Sequence, residues 1–426
     1  MIRKYTTKTD ALTTILKRKA SETLDVTDKV REIIEAVKTN QDDALKQFSY
    51  QFDQYQATEF LVSPTEIKQA FELVDPALVE VMKQAWHRIY QFHEKQKNNG
   101  YIMTQAGQVM GQRVLPLDCV GVYVPGGTAA YPSTVLMDVA PAKVAGVEKI
   151  ILITPPDKEG KVNPNVLVAS QIAGVDQIYK VGGAHGIAAL AYGTQSIPKV
   201  DKIVGPGNIY VATAKRLVYG QVDIDMIAGP SDVLIIADDS ANVEWLAADL
   251  LAQAEHDTLA QAILLTDSQR IFEQISEELQ KQLANLPRKA IASQSIENNG
   301  KVVLVENIEE ACQIANKIAP EHLELAVLEP FAYLGQIKHA GSIFLGHYTP
   351  EVLGDYLAGP NHTLPTEGTA RFYSALNVDD FVKKSSYLYY SKTALQQQIT
   401  AIAHFAQAEG LQGHAQSALI RREDEQ

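Results

Sequence analysis

The feature that most constrains this chain is an alternation that begins at Cys119. Short apolar, β-branched runs ("CVGVYV", "KIILITP", "QIYKVGG", "KVDKIVG") trade places with helical runs ("STVLMDVAPAKVAGV", "NVLVASQIAGV", "GIAALAYGT"). After "SDVLIIAD" the alternation resumes: a helix over 243–257, "AILLT", "IFEQISEELQKQL", "KVVLVEN", "IEEACQIANKIA", then "EHLELAV" and "GSIFLG". Strands that alternate with helices are joined by right-handed crossovers, which builds parallel sheets. Two α/β blocks are predicted, over 119–236 and 237–378. A chain of 426 residues is too long for one ordinary domain. Residues 20–110 read as helices with charged outer faces, and this helical part joins one of the blocks. The tail from Phe381, "FVKKSSYLYYSKTALQQQITAIAHFAQAEG…", reads as a small helical unit. It has little core of its own and must dock on its own subunit or on a partner.

Composition excludes several classes. A net charge of −13 disfavours binding to nucleic acid or to an anionic membrane surface. No apolar run is long enough to span a bilayer, and the N-terminus "MIRKYTTKTDALTTILKRKA" has no apolar core of the signal-peptide kind. Cys119 and Cys312 are the only cysteines and there is no CxxC, so a disulfide framework or thiolate metal site is not expected. A reducing cytoplasm is the natural setting. Any transition-metal site would have to use imidazole and oxygen ligands. Seven of the ten histidines follow residue 250: His256, His322, His339, His347, His362, His404 and His414.

Three glycine-rich turns follow predicted strands: "VPGGTAAYPSTV" (Val124–Val135), "KVGGAHGIAA" and "IVGPGNIYVATAK". Glycine lets backbone amides approach a ligand, and the helix N-terminus that follows favours an anion. None is a GxGxxG or a P-loop. Three such turns at the C-terminal ends of parallel strands would cluster at one sheet edge, where α/β folds bind nucleotide-like ligands. In "DLLAQAEHD", Gln253 stands two helical turns after Leu246, and His256 one turn later, at the edge of a buried stripe. In "IAPEHLEL", Pro320 ends a helix before Glu321 and His322, a carboxylate beside an imidazole suited to acid–base work. Adjacent side chains of an extended strand face opposite ways, so both reach one site only if the chain turns there. The long loop-like stretch "VLGDYLAGPNHTLPTEGTARFYS" carries Asp355 and His362; Asp355 reads equally as a metal ligand or a cap. "AEGLQGHAQS" places Glu409 and His414 near the end of the chain.

Taken together, "CVGVYVPGGTAAYPSTVLM", "VDKIVGPGNIYVATAKR", "IDMIAGPSDVLIIAD", "DLLAQAEHD", "APEHLEL", "AGSIFLG", "GDYLAGPNHTLPT" and "TARFYSALNVDDF" closely resemble the histidinol dehydrogenase family, in the family's order and over most of the chain. The resemblance implies two incomplete Rossmann-like parallel-sheet domains, with small helical terminal segments that pack in an interlocked homodimer. A helical arm, 1–122, would join the first large domain, whose remainder is 237–378. An NAD-side domain would span 123–236, and a dimerisation segment 379–426. It also implies NAD-dependent oxidation of L-histidinol to L-histidine with one zinc per subunit. Zinc ligands would be Gln253, His256, Asp355 and, from the partner chain, His414. Glu321 and His322 match the acid–base pair. Ser231, His362 and Glu409, with the zinc residues and His322, match positions around the substrate, Glu409 coming, like His414, from the partner chain. Tyr123 and Asn208 match NAD contacts. His185 in "GGAHG" stands at a third NAD-contact position, where the family has a glutamine; imidazole lacks the amide's paired donor and acceptor.

Three other readings meet obstacles in the same residues. A relative acting on another small amino- or sulfo-alcohol would not need Ser231, His322, Glu409 and all four zinc positions. A zinc hydrolase would be expected to carry HExxH and would leave the glycine turns without a purpose. A non-catalytic relative would be expected to have lost Glu321 or His322.

Overall fold

The computed structural model describes residues 2–16, 25–126 and 131–422. In chain order the strands are β1 Arg3–Thr6, β2 Tyr101–Gln105, β3 Gln108–Pro116, β4 Cys119–Tyr123 and β5 Lys149–Thr154. β6 Gln177–Lys180, β7 Lys202–Val204, β8 Asp223–Ile224, β9 Asp232–Ala237 and β10 Gln261–Thr266 follow. The last are β11 Lys301–Leu304, β12 His322–Ala326, β13 Ser342–Leu345 and β14 Val382–Tyr390.

β4 to β8 form one all-parallel sheet in the order β6-β5-β4-β7-β8. β1 joins β9 to β13 in a second parallel sheet, ordered β1-β11-β10-β9-β12-β13. Strands covered on both faces read as unbroken apolar runs rather than alternating ones. Ile150 to Ile153 and Val233 to Ile236 are all buried, as that rule requires. The boundary between the sheets differs from the expectation. The sequence pattern places β9 at the close of the first block, yet it lies at the centre of the second sheet, between β10 and β12. Local patterning identifies a strand but not the sheet it enters.

Residues 1–122 divide in the same way. β1 enters the second sheet. Helices Thr27–Asp53, Pro64–Leu73 and Pro76–Glu94 instead share apolar clusters with the first sheet and its helices. Two of these helices begin on clear signals: Ser63 and Glu66 form a capping box, and the Asp75 side chain accepts the Ala77 N–H.

These two sheets and their helices form one compact unit, Met1–Gln96 with Leu117–Phe381. A second unit takes Lys97–Pro116 and the chain from Val382. Here the helical reading of 101–110 and of the early tail is overturned. β2, β3 and β14 form an antiparallel sheet, with Tyr387 opposite Gly111. "VKKSSYLYY" has the β-branched and aromatic content of a strand, but its partner lies far off in sequence, out of reach of local periodicity. Helices Lys392–Gln396, Ile399–Ala408 and Gln412–Leu419 complete this unit. Among the described residues, no helix is long and apolar enough to cross a membrane.

Candidate active site

A cleft of about 860 Å³ opens in the first unit. Opposite ends of the two sheets build it. The first sheet contributes the turns beyond the C-terminal ends of β4 and β7, where Pro125, Gly126 and Gly205 to Asn208 line the wall. The second contributes its N-terminal edge: Ser231 precedes β9, His256 precedes β10, and Glu321 and His322 stand at the start of β12. Open α/β sheets hold ligands at their carboxyl edges; only the first sheet does so here.

Two of the three glycine turns therefore face the cleft. In the β7 turn, Gly205 has φ +113°, and a Cβ there would lie 2.1 Å from the Tyr123 carbonyl oxygen. Asn208 caps helix Ile209–Val218, its Oδ1 accepting the Tyr210 and Val211 N–H groups at 3.0 and 3.2 Å. Tyr123 is buried at the end of β4; burial pushes its phenol up to about 12, and it bonds to the backbone of Gly183. Gly127 to Ala130 of the first turn lie outside the described residues. The third turn does not line the cleft. His185 is buried in helix Gly183–Tyr192 with both ring nitrogens unpartnered, its ring 5.8 and 5.9 Å from those of Phe48 and Phe52. Burial alone pushes its pKa down to about 3.

Asp232, the first residue of β9, grips both Glu321 and His322. Its N–H donates to Glu321 Oε2 at 2.9 Å, and its Oδ1 accepts the Glu321 N–H at 2.8 Å. Its carbonyl lies 3.1 Å from His322 Nδ1. A carbonyl only accepts, so Nδ1 carries the proton and Nε2 is left as the basic nitrogen. The turn that the sequence required is present: Ala319 takes a left-handed conformation (φ +52°) before Pro320, and both side chains line the cleft. Burial pushes the Glu321 carboxyl up to about 7.

His322 Nε2 stands 3.5 Å from Glu351 Oε1. Ligand atoms of His322, Glu351 and Asp355 all lie within 4.8 Å of one another. Glu351 and Asp355 share one face of helix Glu351–Tyr356, in a stretch read as loop. Asp355 sits in its last turn and is not a cap. Its Oδ1 lies 3.6 Å from His362 Nδ1, and His362 Nε2 lies 3.3 Å from Thr134 Oγ1. Gln253 occupies the last turn of helix Val243–Ala254, and the His256 N–H returns to its carbonyl at 3.3 Å. The Gln253 side chain is fully buried, and both atoms of its amide are unpartnered. An unsatisfied buried polar group costs about 1–3 kcal/mol. A cation drawn to this helix C-terminus would meet the negative end of its dipole and oxygen and nitrogen donors. Donor chemistry and the orphaned amide thus fit zinc.

A histidinol dehydrogenase sequence profile matches residues 16–422. The chain belongs to the histidinol dehydrogenase family. It is 56% identical over 406 residues to a histidinol dehydrogenase of Listeria monocytogenes, covering 95% of each chain. One from Clostridium acetobutylicum is 54% identical over 406 residues, 95% of this chain and 94% of the relative. The crystal structure of histidinol dehydrogenase from Elizabethkingia anophelis superposes with a TM-score of 0.94 at 40% identity, covering 99% of this chain and 98% of that one. The family catalyses the NAD-dependent oxidation of histidinol to histidine, and this chain is an oxidoreductase of that family.

Within the family frame, the first unit brings together Ser231, His256, Glu321, His322, Asp355 and His362 around one cleft, with Asn208 on its wall. Glu409 and His414 belong to the second unit, where both are exposed. Sequence reasoning missed Glu351. Its signal was the spacing "EVLGD" after Pro350, two carboxylates one helical turn apart. Glu351 is buried, with neither carboxyl oxygen hydrogen-bonded and Oε1 facing His322 Nε2.

Proposed function

We propose that this chain oxidises L-histidinol to L-histidine through L-histidinaldehyde in two hydride transfers, the last steps of histidine biosynthesis, in the cytoplasm. The observation that carries this reading is the pair Glu321–His322, held by one residue and opening on a cleft between two sheet edges. Zinc would be held by Gln253, His256 and Asp355, and by His414 of a second copy; when bound it supplies a Lewis acid that orients the substrate's amine and imidazole. NAD, against Tyr123, Asn208 and the β4 and β7 turns, supplies the hydride acceptor. Substrate contacts are assigned to Ser231, His362 and Glu409 as well as to the zinc residues and His322.

His322 Nε2 takes the alcohol proton as the carbinol C–H bond is lost, because its Nδ1–H is committed to the Asp232 carbonyl. Glu321, ionised above about pH 7, takes a proton from water as that water attacks the aldehyde carbon. The hydrated adduct then gives up the second hydride. A homodimer is part of the proposal: Tyr101, Ile102, Met103, Leu388, Tyr389 and Phe405 of the second unit are exposed in the single chain, which suits a surface that a second copy covers.

The test is the stoichiometry of zinc-loaded protein with L-histidinol at alkaline pH. Two NADH per histidinol consumed, with histidine as product, is expected. One NADH with released aldehyde, or no turnover, overturns the reading.

A further inference from the structure

Three elements that carry site residues also carry a second acid set back from them. Helix Val243–Ala254 bears Asp249 one turn before Gln253. β12 bears Glu324 two residues after His322, on the same face of the strand. Helix Glu351–Tyr356 opens on Glu351, one turn before Asp355. The side chains of Asp249 and Glu324 hydrogen-bond to each other. Glu324, itself buried, accepts the backbone N–H of Glu351 on Oε1 at 2.8 Å.

The last contact matters because helix Glu351–Tyr356 has six residues and Pro350 gives it no side-chain cap. So short a helix is held by its surroundings, and its first N–H groups need outside acceptors. Glu324 supplies one from a neighbouring strand. Its bond to Asp249 extends the tie to the helix that ends in Gln253. Two carboxyls can bond only around a proton, so the pair holds one between them.

We propose that the Asp249–Glu324 carboxyl pair is a positioning clamp: it sets the distance between the segment bearing Gln253 and His256 and the helix bearing Asp355, and thereby the affinity of the metal site. The inference rests on the zinc reading above. Neither acid is placed in contact with the reacting atoms; both act through the residues they hold.

Zinc affinity measured on the full-length protein by competition with a chromophoric chelator tests it. Glu324→Gln keeps both bonds, its Oε1 accepting the Glu351 N–H and its amide donating to Asp249, so affinity should stay within about threefold of the parent. Glu324→Leu removes both and should weaken zinc by about tenfold to hundredfold, the range for lost outer partners of metal ligands. Asp249→Ala, at a half-buried and more tolerant position, should weaken zinc by about tenfold. Combined with Glu324→Leu it should add almost nothing further. Parent-like affinity in Asp249→Ala, or a loss in Glu324→Gln as large as in Glu324→Leu, overturns the clamp. If the parent itself binds no zinc, the functional reading fails instead, so the two failures are distinguishable.

Discussion

Glu321 combines two roles that pull against each other. Its proposed use as a base requires a carboxylate, while its burial favours the acid. Because its pKa rises from 4.5 to about 7 on folding, the folded chain retains a proton that the unfolded chain releases between those values. Stability contributed by this group is therefore present below pH 4.5 and is lost as pH rises towards 7, at up to about 1.4 kcal/mol per pH unit. Glu321→Gln cannot ionise and can still accept the Asp232 N–H. Its melting temperature should exceed the parent's at pH 8 by more than it does at pH 5. Equal differences at the two pH values would refute the assignment. The same variant should lose about 10²–10⁴-fold in turnover. Because only the hydration step needs the base, a single turnover should still release the first NADH. His322→Gln should lose that first NADH as well, which rapid-mixing absorbance at the NADH band would separate.

At the scale of elements, the end of helix Val243–Ala254 shows what local patterning can and cannot convey. Leu246, Leu250 and Gln253 fall on one buried face, as their spacing requires. An amide at the end of an apolar stripe is visible in the sequence; that neither of its atoms finds a partner is not, since partners come from other segments. The same limit explains Glu351. Its i, i+4 relation to Asp355 was on display, but Gly354 and the Gly- and Pro-rich run beyond made a helix there unreadable. His185 is the opposite case, identifiable by position but buried under Phe48 and Phe52 from a helix more than a hundred residues earlier. For Gln253, an apolar substitution of similar size gives a sharp expectation. Gln253→Leu removes a buried unsatisfied amide, so the metal-free protein should melt no lower than the parent, while chelator competition should show zinc bound at least about tenfold more weakly. A fall in metal-free stability together with unchanged zinc affinity would mean that the amide serves packing alone.

At the scale of the whole molecule, the two parallel sheets were legible because buried strands leave unbroken apolar runs, and the eight ordered motifs were legible because each is a short local run. The antiparallel sheet was not, since β14 pairs with β3 across most of the chain's length. That sheet belongs to the unit bearing Glu409 and His414, the proposed donors to a second copy. If each site takes Gln253 from one chain and His414 from the other, complementation follows from symmetry. Gln253→Ala and His414→Ala homodimers each have two defective sites. In a mixed dimer one site carries both defects and the other carries neither. Co-expression of the two chains with different tags and random pairing should restore about a quarter of all sites. Dimers purified through both tags should bind about one zinc per dimer at parent affinity, with about half the parent's turnover per dimer. Were His414 to serve its own chain, every site in the mixed dimer would keep one defect. Zinc content and turnover of doubly tagged material would then match those of the single variants, and the exchange of His414 between subunits would be disproved.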